Sequence, residues 1–339
     1  MSRIEVRDDK ETAAPGLPIK VAVLIPCYNE EVTIAQTISA FKAELPQADI
    51  YVFDNNSSDR TVERALSAGA KISHERRQGK GFVVQTMFRG VDADVYIMVD
   101  GDGTYPPDAV SRLIRPIVMG EADMVVGSRL HSQSQSQFKH LNRWGNRLVL
   151  LLLNSIFRVQ LTDVLSGYRA FSRSFVKTLP LFGGGFEIET ELTIKAVARG
   201  QRIVEVPIDL VHRPTGSHSK IRFLRDGAII LNTILALFRD YKPLTFFGGI
   251  GLALLVMAVI PGTLIIVGFI RTGTTPSLAL AVMATGLVLC GLLSITVGLI
   301  LHSIARRSQE FEYQMQVLAR ELQSSRSLVG SSKSGDDGR

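Results

Sequence analysis

Two long segments without a charged residue lie near the carboxyl end of the chain and restrict its fold more than any other feature. They run from Leu244 to Ile270 and from Thr272 to Leu301. Each is longer than the roughly 20 apolar residues that a helix needs to cross the hydrocarbon core of a bilayer. Basic residues stand at both outer ends of the pair, namely Arg239, Lys242, Arg306 and Arg307. The positive-inside rule therefore predicts a transmembrane hairpin whose outer ends both face the cytoplasm.

The remainder of the chain is expected to stay on the cytoplasmic side. Its first residues are charged and lack the apolar stretch of a signal peptide. Cys27 and Cys290 are its two cysteines, so no disulfide framework is expected. The sequence predicts an integral membrane protein, of the inner or plasma membrane if bacterial, with both termini in the cytoplasm. Its expected parts are a mobile leader (1–19), a catalytic domain (20–220), an amphipathic juxtamembrane helix (221–243), the hairpin (244–303, with spans at about 244–270 and 276–301) and a partly disordered tail (304–339).

Strand-like and helix-like segments alternate from Lys20 onwards. The predicted strands are 21–25, 50–53, 70–73, 95–99 and 124–126, and the predicted helices are 30–45, 59–68, 81–91 and 108–119. Ser57 or Ser58 is expected to cap the second of these helices. This alternation is typical of a Rossmann-like α/β fold, in which helices cover a mostly parallel sheet and ligands bind at the carboxyl ends of the strands.

A pair of aspartates follows the apolar strand that begins at Val95. Asp100 and Asp102 are separated by one glycine and followed by another. Such a pair is compatible with a surface turn, a phosphatase nucleophile of the haloacid-dehalogenase type, or the Asp-x-Asp metal clamp of a nucleotide-sugar glycosyltransferase. An EF-hand calcium loop is excluded, because it needs glycine where Tyr105 stands and glutamate where Ser111 stands. The phosphatase expects a second acidic motif downstream, which only Asp336 and Asp337 offer, beyond the predicted membrane spans.

The ends of the earlier strands carry an ordered set of polar residues that decides between these alternatives. The set comprises Pro26, Asn29, Glu30, Asp54, Asp59, Thr61, the Gly-Lys-Gly of 79–81, Asp100 and Asp102. It resembles the motifs of family 2 glycosyltransferases, which have the GT-A fold. Later segments resemble polyprenyl-phosphate glycosyltransferases of the dolichyl-phosphate mannose synthase type, namely 127–129, Asp163 with 166–169, 205–207 and 213–220. The resemblance covers about residues 20–243.

The resemblance implies a donor site with a Mg²⁺ or Mn²⁺ cofactor. Asp102 is the expected direct metal ligand, and Asp100 is expected to contact the metal, the ribose or both. The implied nucleotide-binding residues are Pro26, Tyr28, Glu30, Asp54, Lys80, Asp100, Gly101 and Asp102. Thr104 stands where mannose synthases have a glutamine that can complete the metal site, and His212 or His218 is an alternative ligand. Glu30 and Asp59 are also suited to helix capping.

The acceptor site implied by the resemblance is a cluster of cations. A lipid monophosphate has a second pKa of about 6, so it needs no general base at neutral pH. Arg129 and Arg143 have the spacing of the two phosphate-binding arginines of mannose synthases, and Arg147 replaces a serine of that pattern. Arg213, Ser219 and Lys220 are expected in a loop that closes over donor or acceptor. Surface charge near a membrane is the alternative explanation of Arg143 and Arg147.

Apolar segments next to these arginines offer a landing surface for a lipid chain. Residues 148–157 are too short to span a bilayer and are a candidate interfacial helix, and 221–237 is amphipathic; the alternative is that both are ordinary core helices. After the hairpin, a short helix is expected over 311–322 and an irregular Ser- and Gly-rich end from Ser324.

The sequence predicts an inverting glycosyltransferase that moves one sugar from a UDP- or GDP-sugar to a polyprenyl phosphate at the cytoplasmic face of the membrane. The product would serve glycan, lipopolysaccharide or glycoprotein modification through a downstream transferase or flippase. The alternatives are a processive polysaccharide synthase of the same fold and an inactive membrane-anchored scaffold. A homo-oligomer is compatible with the sequence, and no nucleic-acid partner is expected.

Overall fold

The computed structural model describes residues 19–129, 150–157, 159–185, 187–211, 223–274 and 277–333. These residues fall into two compact units whose boundary in the chain lies between Ile234 and Leu235. The first unit contains the sheet and the second contains two long apolar helices.

The described residues of the first unit form a seven-stranded sheet in the order β3-β2-β1-β4-β6-β5-β7. Its strands are β1 Val21–Cys27, β2 Asp49–Asp54, β3 Lys71–His74, β4 Val95–Met98, β5 Met124–Ser128, β6 Arg169–Ser172 and β7 Ile203–Pro207. Neighbouring strands are parallel except at β6, which runs antiparallel to both β4 and β5. The order of the strands reverses at β1, so a crevice is expected at the carboxyl ends of β1 and β4.

Helices cover both faces of this sheet because the strands alternate their side chains between two apolar layers. Val23 and Ile25 pack in one layer with residues of α1 and α4, and Ala22 and Leu24 pack in the other with residues of α3, α6 and α7. The helices of this unit are α1 Ile34–Glu44, α2 Thr61–Ser67, α3 Lys80–Gly90, α4 Val110–Val118, α5 (residues 150–157), α6 Arg173–Thr178 and α7 Ile188–Ala198, with α8 Phe223–Tyr241 running across the boundary of the units.

The five predicted strands and four predicted helices are all present, with ends shifted by a few residues. The predicted caps of α2 are wrong, because its first turn follows Arg60 without a side-chain cap. Both serines instead bond to Asn29. The hydroxyl of Ser57 accepts from the Asn29 amide at 2.9 Å, and the amide of Ser58 donates to Asn29 Oδ1 at 2.8 Å. They therefore join two loops rather than begin a helix.

The second unit is a pair of helices long and apolar enough to cross a membrane. These are α9 Pro243–Thr272 and the first part of α10 Leu278–Lys333, with mean hydropathies of 2.7 and 2.4. The two backbones approach closely at glycines, since a Cβ on Gly251 would lie 2.6 Å from the carbonyl oxygen of Gly291. The hydroxyl of Ser294 donates to the carbonyl of Phe247 at 2.7 Å and adds a polar contact between the helices.

The helix α10 continues to Lys333, which differs from the expected short helix over 311–322 and irregular end from Ser324. No proline interrupts residues 302–333, and Glu, Gln, Arg and Leu are frequent in 302–323, so helix propensity explains why the helix includes this part. Residues 324–333 contain five serines and one glycine, and helix propensity does not account for their helical conformation.

Candidate active site

The acidic residues predicted for the donor site lie at the carboxyl ends of neighbouring strands. Asp54 is the last residue of β2, and Asp100 and Asp102 follow β4 directly. Because β1 pairs with both strands in parallel, these ends meet at the edge of the sheet where the strand order reverses. The structure thus brings together three carboxylates that lie up to 48 residues apart in the sequence.

Lys80 is held between two carboxylates at the start of α3. Its Nζ lies 2.5 Å from Asp100 Oδ1 and 2.5 Å from Glu189 Oε1, and its side chain is 12% exposed. Burial by itself lowers the pKa of Lys80, but the charges of Asp100 and Glu189 outweigh this effect and raise the pKa above its usual value. Lys80 is therefore a permanent cation beside the predicted metal ligand.

Glu189 was not recognised in the sequence. It lies in α7, far along the chain, and its side chain is only 5% exposed. The available signal was the acidic series Glu187, Glu189 and Glu191 directly after a run of three glycines.

The glycines on both sides of Lys80 allow the first turn of α3 to rest against that run of three glycines. Gly79 has a φ of +140°, and a Cβ on it would lie 2.0 Å from the carbonyl oxygen of Gly184. The amide of Gly81 donates to the same oxygen at 3.1 Å. Glu187 accepts from the amides of Gly184 and Gly185 at 3.0 and 2.9 Å and fixes the run. Only glycine at 79 and 81 permits this approach, which places Lys80 at the site.

Thr104 bonds to the metal-ligand candidate Asp102. Its amide and its hydroxyl both donate to Asp102 Oδ1, at 3.1 and 2.6 Å. The turn between them passes through Gly103, which has a φ of +71°. The hydroxyl of Thr33 donates to the carbonyl of Gly101 at 2.7 Å and anchors the same turn to the loop after β1. Thr104 thus orients one carboxylate oxygen of Asp102.

The oxygen ligands at this turn fit a divalent cation that is bound together with a phosphate. Asp100 and Asp102 supply hard oxygen atoms, which Mg²⁺ and Mn²⁺ prefer. Among the described residues there is no group of three or more His, Cys, Asp or Glu side chains that could hold a metal. Mg²⁺ is commonly bound by one or two carboxylates that are joined by substrate phosphates, so two aspartates suffice for such a site.

Asp54 is buried at the end of β2, and its carboxylate shapes the loop that follows. Both of its oxygens accept from the amide of Ser57, at 3.2 and 3.3 Å, and His74 Nδ1 lies 3.3 Å from Oδ2. The side chain of Asp54 is 5% exposed, whereas that of His74 is 61% exposed. Of the other predicted nucleotide contacts, Pro26 is partly buried on β1 and Tyr28 is exposed.

The buried Asn55 is a second residue that sequence reasoning missed. Its amide nitrogen donates to the carbonyls of Glu75 and Arg77 at 3.0 and 2.7 Å, and its oxygen accepts from the amide of Gly79 at 2.7 Å. These three bonds fasten the loop before Lys80 to the end of β2. Asn55 therefore fixes the distance between Asp54 and Lys80.

Asp59 bonds to residues of the loops after β1 and β2 in the structure. Its Oδ1 accepts from the amide and hydroxyl of Thr61, at 2.9 and 2.5 Å, and its Oδ2 accepts from the amide of Glu31 at 3.1 Å. Burial raises the pKa of Asp59, but these bonds outweigh it and lower the pKa below the usual value. The amide of Glu30 also donates to Thr61 Oγ1, at 2.8 Å, so the loops after β1 and β2 are joined.

Arg129, predicted to bind the acceptor phosphate, forms a buried ion pair with Asp163. Its Nε lies 2.7 Å from Asp163 Oδ2 and its Nη2 lies 3.0 Å from Oδ1. The side chain of Asp163 is 0% exposed and that of Arg129 is 17% exposed. Glu205 of β7 holds the backbone of this segment, because its carboxylate accepts from the amides of Thr162 and Asp163 at 2.9 Å. Asp163 therefore sets the orientation of the guanidinium.

The other predicted acceptor and loop residues lie outside the described residues. They are Arg143, Arg147, Arg213, Ser219 and Lys220, together with the histidines His212 and His218. Their roles stay predictions. The described chain ends at Val211 just before five of these residues, the ones numbered 212 to 220. The amide of Val211 donates to the carbonyl of Thr104 at 2.9 Å, so this end lies beside the turn that carries Asp102.

Glu75→Gln is expected to lower the free energy of unfolding by about 1–2 kcal/mol at neutral pH, because this carboxylate accepts bonds from Arg77 and Thr86. The bonds with Arg77 are the main cause that lowers the pKa of Glu75 from 4.5 to about 2. The stability that the lowered pKa of Glu75 contributes is fully present above pH 4.5 and is lost as the pH falls through about 2. Thermal denaturation of both proteins from pH 7 to pH 3 tests this, since the difference in melting temperature should shrink below pH 4.5. The exposed Glu63→Gln is the control, and an equal loss in that variant would contradict the assignment.

Comparison with known proteins identifies the family of this chain. The model of Glycosyl transferase family 2 matches residues 22–179. Glycosyltransferase AglJ of Haloferax volcanii is 35% identical over 70% of this chain and 78% of its own. An undecaprenyl-phosphate mannosyltransferase of Micrococcus luteus is 28% identical over 58% of this chain and 86% of its own.

A solved structure shows the same fold. Glucosyl-3-phosphoglycerate synthase of Mycobacterium tuberculosis, crystallised with Mn²⁺, UDP-glucose and phosphoglyceric acid, superimposes with a TM-score of 0.54. The match covers 66% of this chain and 80% of that one at 24% identity. The predicted GT-A type of α/β fold, followed by two apolar helices that could form a transmembrane hairpin, is confirmed. With its motifs at the expected strand ends and this extent of similarity to AglJ, the chain belongs to glycosyl transferase family 2.

Proposed function

We propose that the protein transfers one sugar from a UDP- or GDP-sugar to a polyprenyl phosphate at the cytoplasmic face of a membrane. The observation that carries the proposal is the arrangement of Asp100, Asp102 and Lys80 at the carboxyl ends of the strands in a family 2 glycosyltransferase. The acceptor class is supported by the undecaprenyl-phosphate mannosyltransferase of Micrococcus luteus, of which the chain covers 86%. The two apolar helices support an enzyme whose acceptor lies in a bilayer.

The donor end of the site handles the leaving group. Asp100 and Asp102 would hold Mg²⁺ or Mn²⁺ against the diphosphate of the donor, and the cation would neutralise the charge that develops as the nucleoside diphosphate leaves. Thr104 fixes the orientation of Asp102, and Lys80 adds a positive charge next to Asp100. Asp54 would accept a hydrogen bond from the nucleobase, with Pro26, Tyr28 and Glu30 around the base and ribose.

The acceptor end of the site holds a nucleophile that is already charged. A phosphate monoester is largely a dianion at neutral pH, because its second pKa is about 6. One of its oxygens would bond to the anomeric carbon while the bond from that carbon to the diphosphate breaks, so the configuration inverts and no proton has to be removed. Arg129 would direct this oxygen. A guanidinium has five N–H donors, so an arginine that uses two of them on a carboxylate can also contact phosphate.

Reconstitution of the activity tests the proposal. The purified protein in lipid nanodiscs would be incubated with Mn²⁺ or Mg²⁺, undecaprenyl phosphate or dolichyl phosphate, and a panel of labelled UDP- and GDP-sugars. We expect a lipid-linked monosaccharide and one equivalent of nucleoside diphosphate, and no product when EDTA removes the metal. A product with many sugars on one lipid would favour a processive synthase. No labelled lipid with any donor would contradict the proposal.

A further inference from the structure

The ammonium group of Lys80 contacts a carboxylate oxygen of Asp100, a residue of the proposed metal site. It lies 2.5 Å from Asp100 Oδ1, which is direct hydrogen-bonding contact. The other carboxylate oxygen, Oδ2, lies against Gly167, where a Cβ would come within 2.5 Å of it, so only glycine fits beside Asp100. A cation that is to be bound by this carboxylate therefore competes with Lys80 for it.

Glu189 gives Lys80 a second carboxylate partner. The distance from Nζ to Glu189 Oε1 is also 2.5 Å, and Glu189 is more buried than Asp100, with side-chain exposures of 5% and 28%. Glu189 belongs to the first turn of α7, and the start of α3 packs on the glycine run that precedes that helix. Lys80 can thus lose its contact with Asp100 and stay paired with a buried carboxylate, so that its charge is not left without a counter-charge in the protein interior.

Two carboxylates share the charge of Lys80, and this suits such an exchange. If a cation takes Asp100, Glu189 still balances the ammonium group. Without Glu189, Asp100 would be the remaining carboxylate in contact with Lys80, and Lys80 would compete more strongly with the cation for it.

We propose that Glu189 is a positioning residue that takes over Lys80 when the metal and donor bind. In the structure, Lys80 bridges Asp100 and Glu189 and keeps the two carboxylates in place. When the divalent cation binds to Asp100, Glu189 retains the ammonium close to the diphosphate. This inference rests on the proposed function, because it takes Asp100 and Asp102 as the residues that hold the cation.

Binding of Mn²⁺ alone to the purified full-length protein tests the inference without any turnover. The electron paramagnetic resonance signal of free Mn²⁺ would be titrated with wild type, Lys80→Gln, Glu189→Gln and the double variant. The interaction energies of contacting residues predict changes of about threefold to tenfold. Glu189→Gln should weaken Mn²⁺ binding, since Lys80 then has Asp100 as its remaining carboxylate partner. Lys80→Gln should strengthen it.

The double variant separates this exchange from a simple loss of charge. If Glu189 acts through Lys80, Glu189→Gln should change Mn²⁺ affinity less than about twofold in the Lys80→Gln background. Equal weakening in both backgrounds would overturn the inference. Glu63→Gln is the control for the loss of one carboxylate, because this residue is exposed on α2 and does not contact Lys80 or the glycine run. A loss of Mn²⁺ affinity in Glu63→Gln as large as that in Glu189→Gln would also overturn it.

The remaining outcomes distinguish the inference from the proposed function. A wild-type protein that binds no Mn²⁺ would contradict the proposed metal site itself. Normal binding by wild type with no shift in the variants would overturn the role of Glu189 only. If thermal denaturation shows that Glu189→Gln does not fold, Lys80→Gln becomes the test variant. A Mn²⁺ affinity of Lys80→Gln equal to or below that of wild type would then contradict the exchange.

Discussion

Asp102→Asn is expected to lower the rate of sugar transfer by about a hundredfold to a thousandfold, which corresponds to the loss of one preorganised electrostatic group at a reacting centre. The amide keeps the size of the side chain and can still accept a bond from Thr104, but it carries no charge to hold a divalent cation. The diphosphate would then leave with poorly neutralised charge. Initial rates at saturating donor and acceptor measure the effect, and Mn²⁺ binding should fall in parallel.

Thr104 variants are the controls for this prediction. Thr104→Ser keeps the hydroxyl that donates to Asp102 Oδ1 and should stay within about threefold of wild type, whereas Thr104→Val loses this bond and should be about tenfold slower, the effect of about one hydrogen bond. Transfer by Asp102→Asn at more than a tenth of the wild-type rate would contradict the assignment of Asp102. Equal rates for Thr104→Val and Thr104→Ser would show that Thr104 does not orient it.

The framework of the site could be predicted because it depends on local sequence patterns. The apolar run before Asp100 predicted a buried strand, and parallel strands bring their carboxyl ends to one edge of a sheet. Asp54, Asp100 and Asp102 therefore lie at the same edge, as expected. The hairpin was predictable for a similar reason, since the absence of charge over whole segments is a property of the sequence alone.

Charge pairing could not be predicted because it depends on strand order and on contacts between distant segments. Lys80 was predicted as a nucleotide-binding residue, and the sequence did not show that α7 brings Glu189 into contact with it. Arg129 was predicted to bind the acceptor phosphate, and its pairing with Asp163 was likewise not visible in the sequence. The strand β6 lies between β4 and β5 and runs against them, and this arrangement brings the segment with Asp163 to the end of β5. The spacing of residues along the chain does not show that β6 lies between β4 and β5.

Asp163→Ala is expected to destabilise the catalytic unit by about 3–5 kcal/mol, because it removes the carboxylate partner of a largely buried arginine. Asp163 accepts from the Arg129 amide at 3.1 Å and from its Nε and Nη2 at 2.7 and 3.0 Å, and also from the amide of Leu165 at 3.1 Å. For a unit of about 200 residues this loss lowers the melting temperature by about 10 °C. Thermal denaturation in detergent, followed by circular dichroism, measures it.

The exposed pair of Asp92 and Arg173 is the matched control for Asp163, with side chains that are 62% and 54% exposed. Asp92→Ala should change stability by less than about 1 kcal/mol, as exposed ion pairs do. Burial raises the pKa of Asp163, but Arg129 outweighs it and holds the pKa below the usual value of 3.8. The stability from this pair is therefore present at neutral pH and is lost as the pH falls through that lowered pKa. Equal melting temperatures for the two variants at pH 7 would mean that Asp163 does not secure Arg129. The proposal that a fixed guanidinium directs the acceptor phosphate would then lose its structural basis.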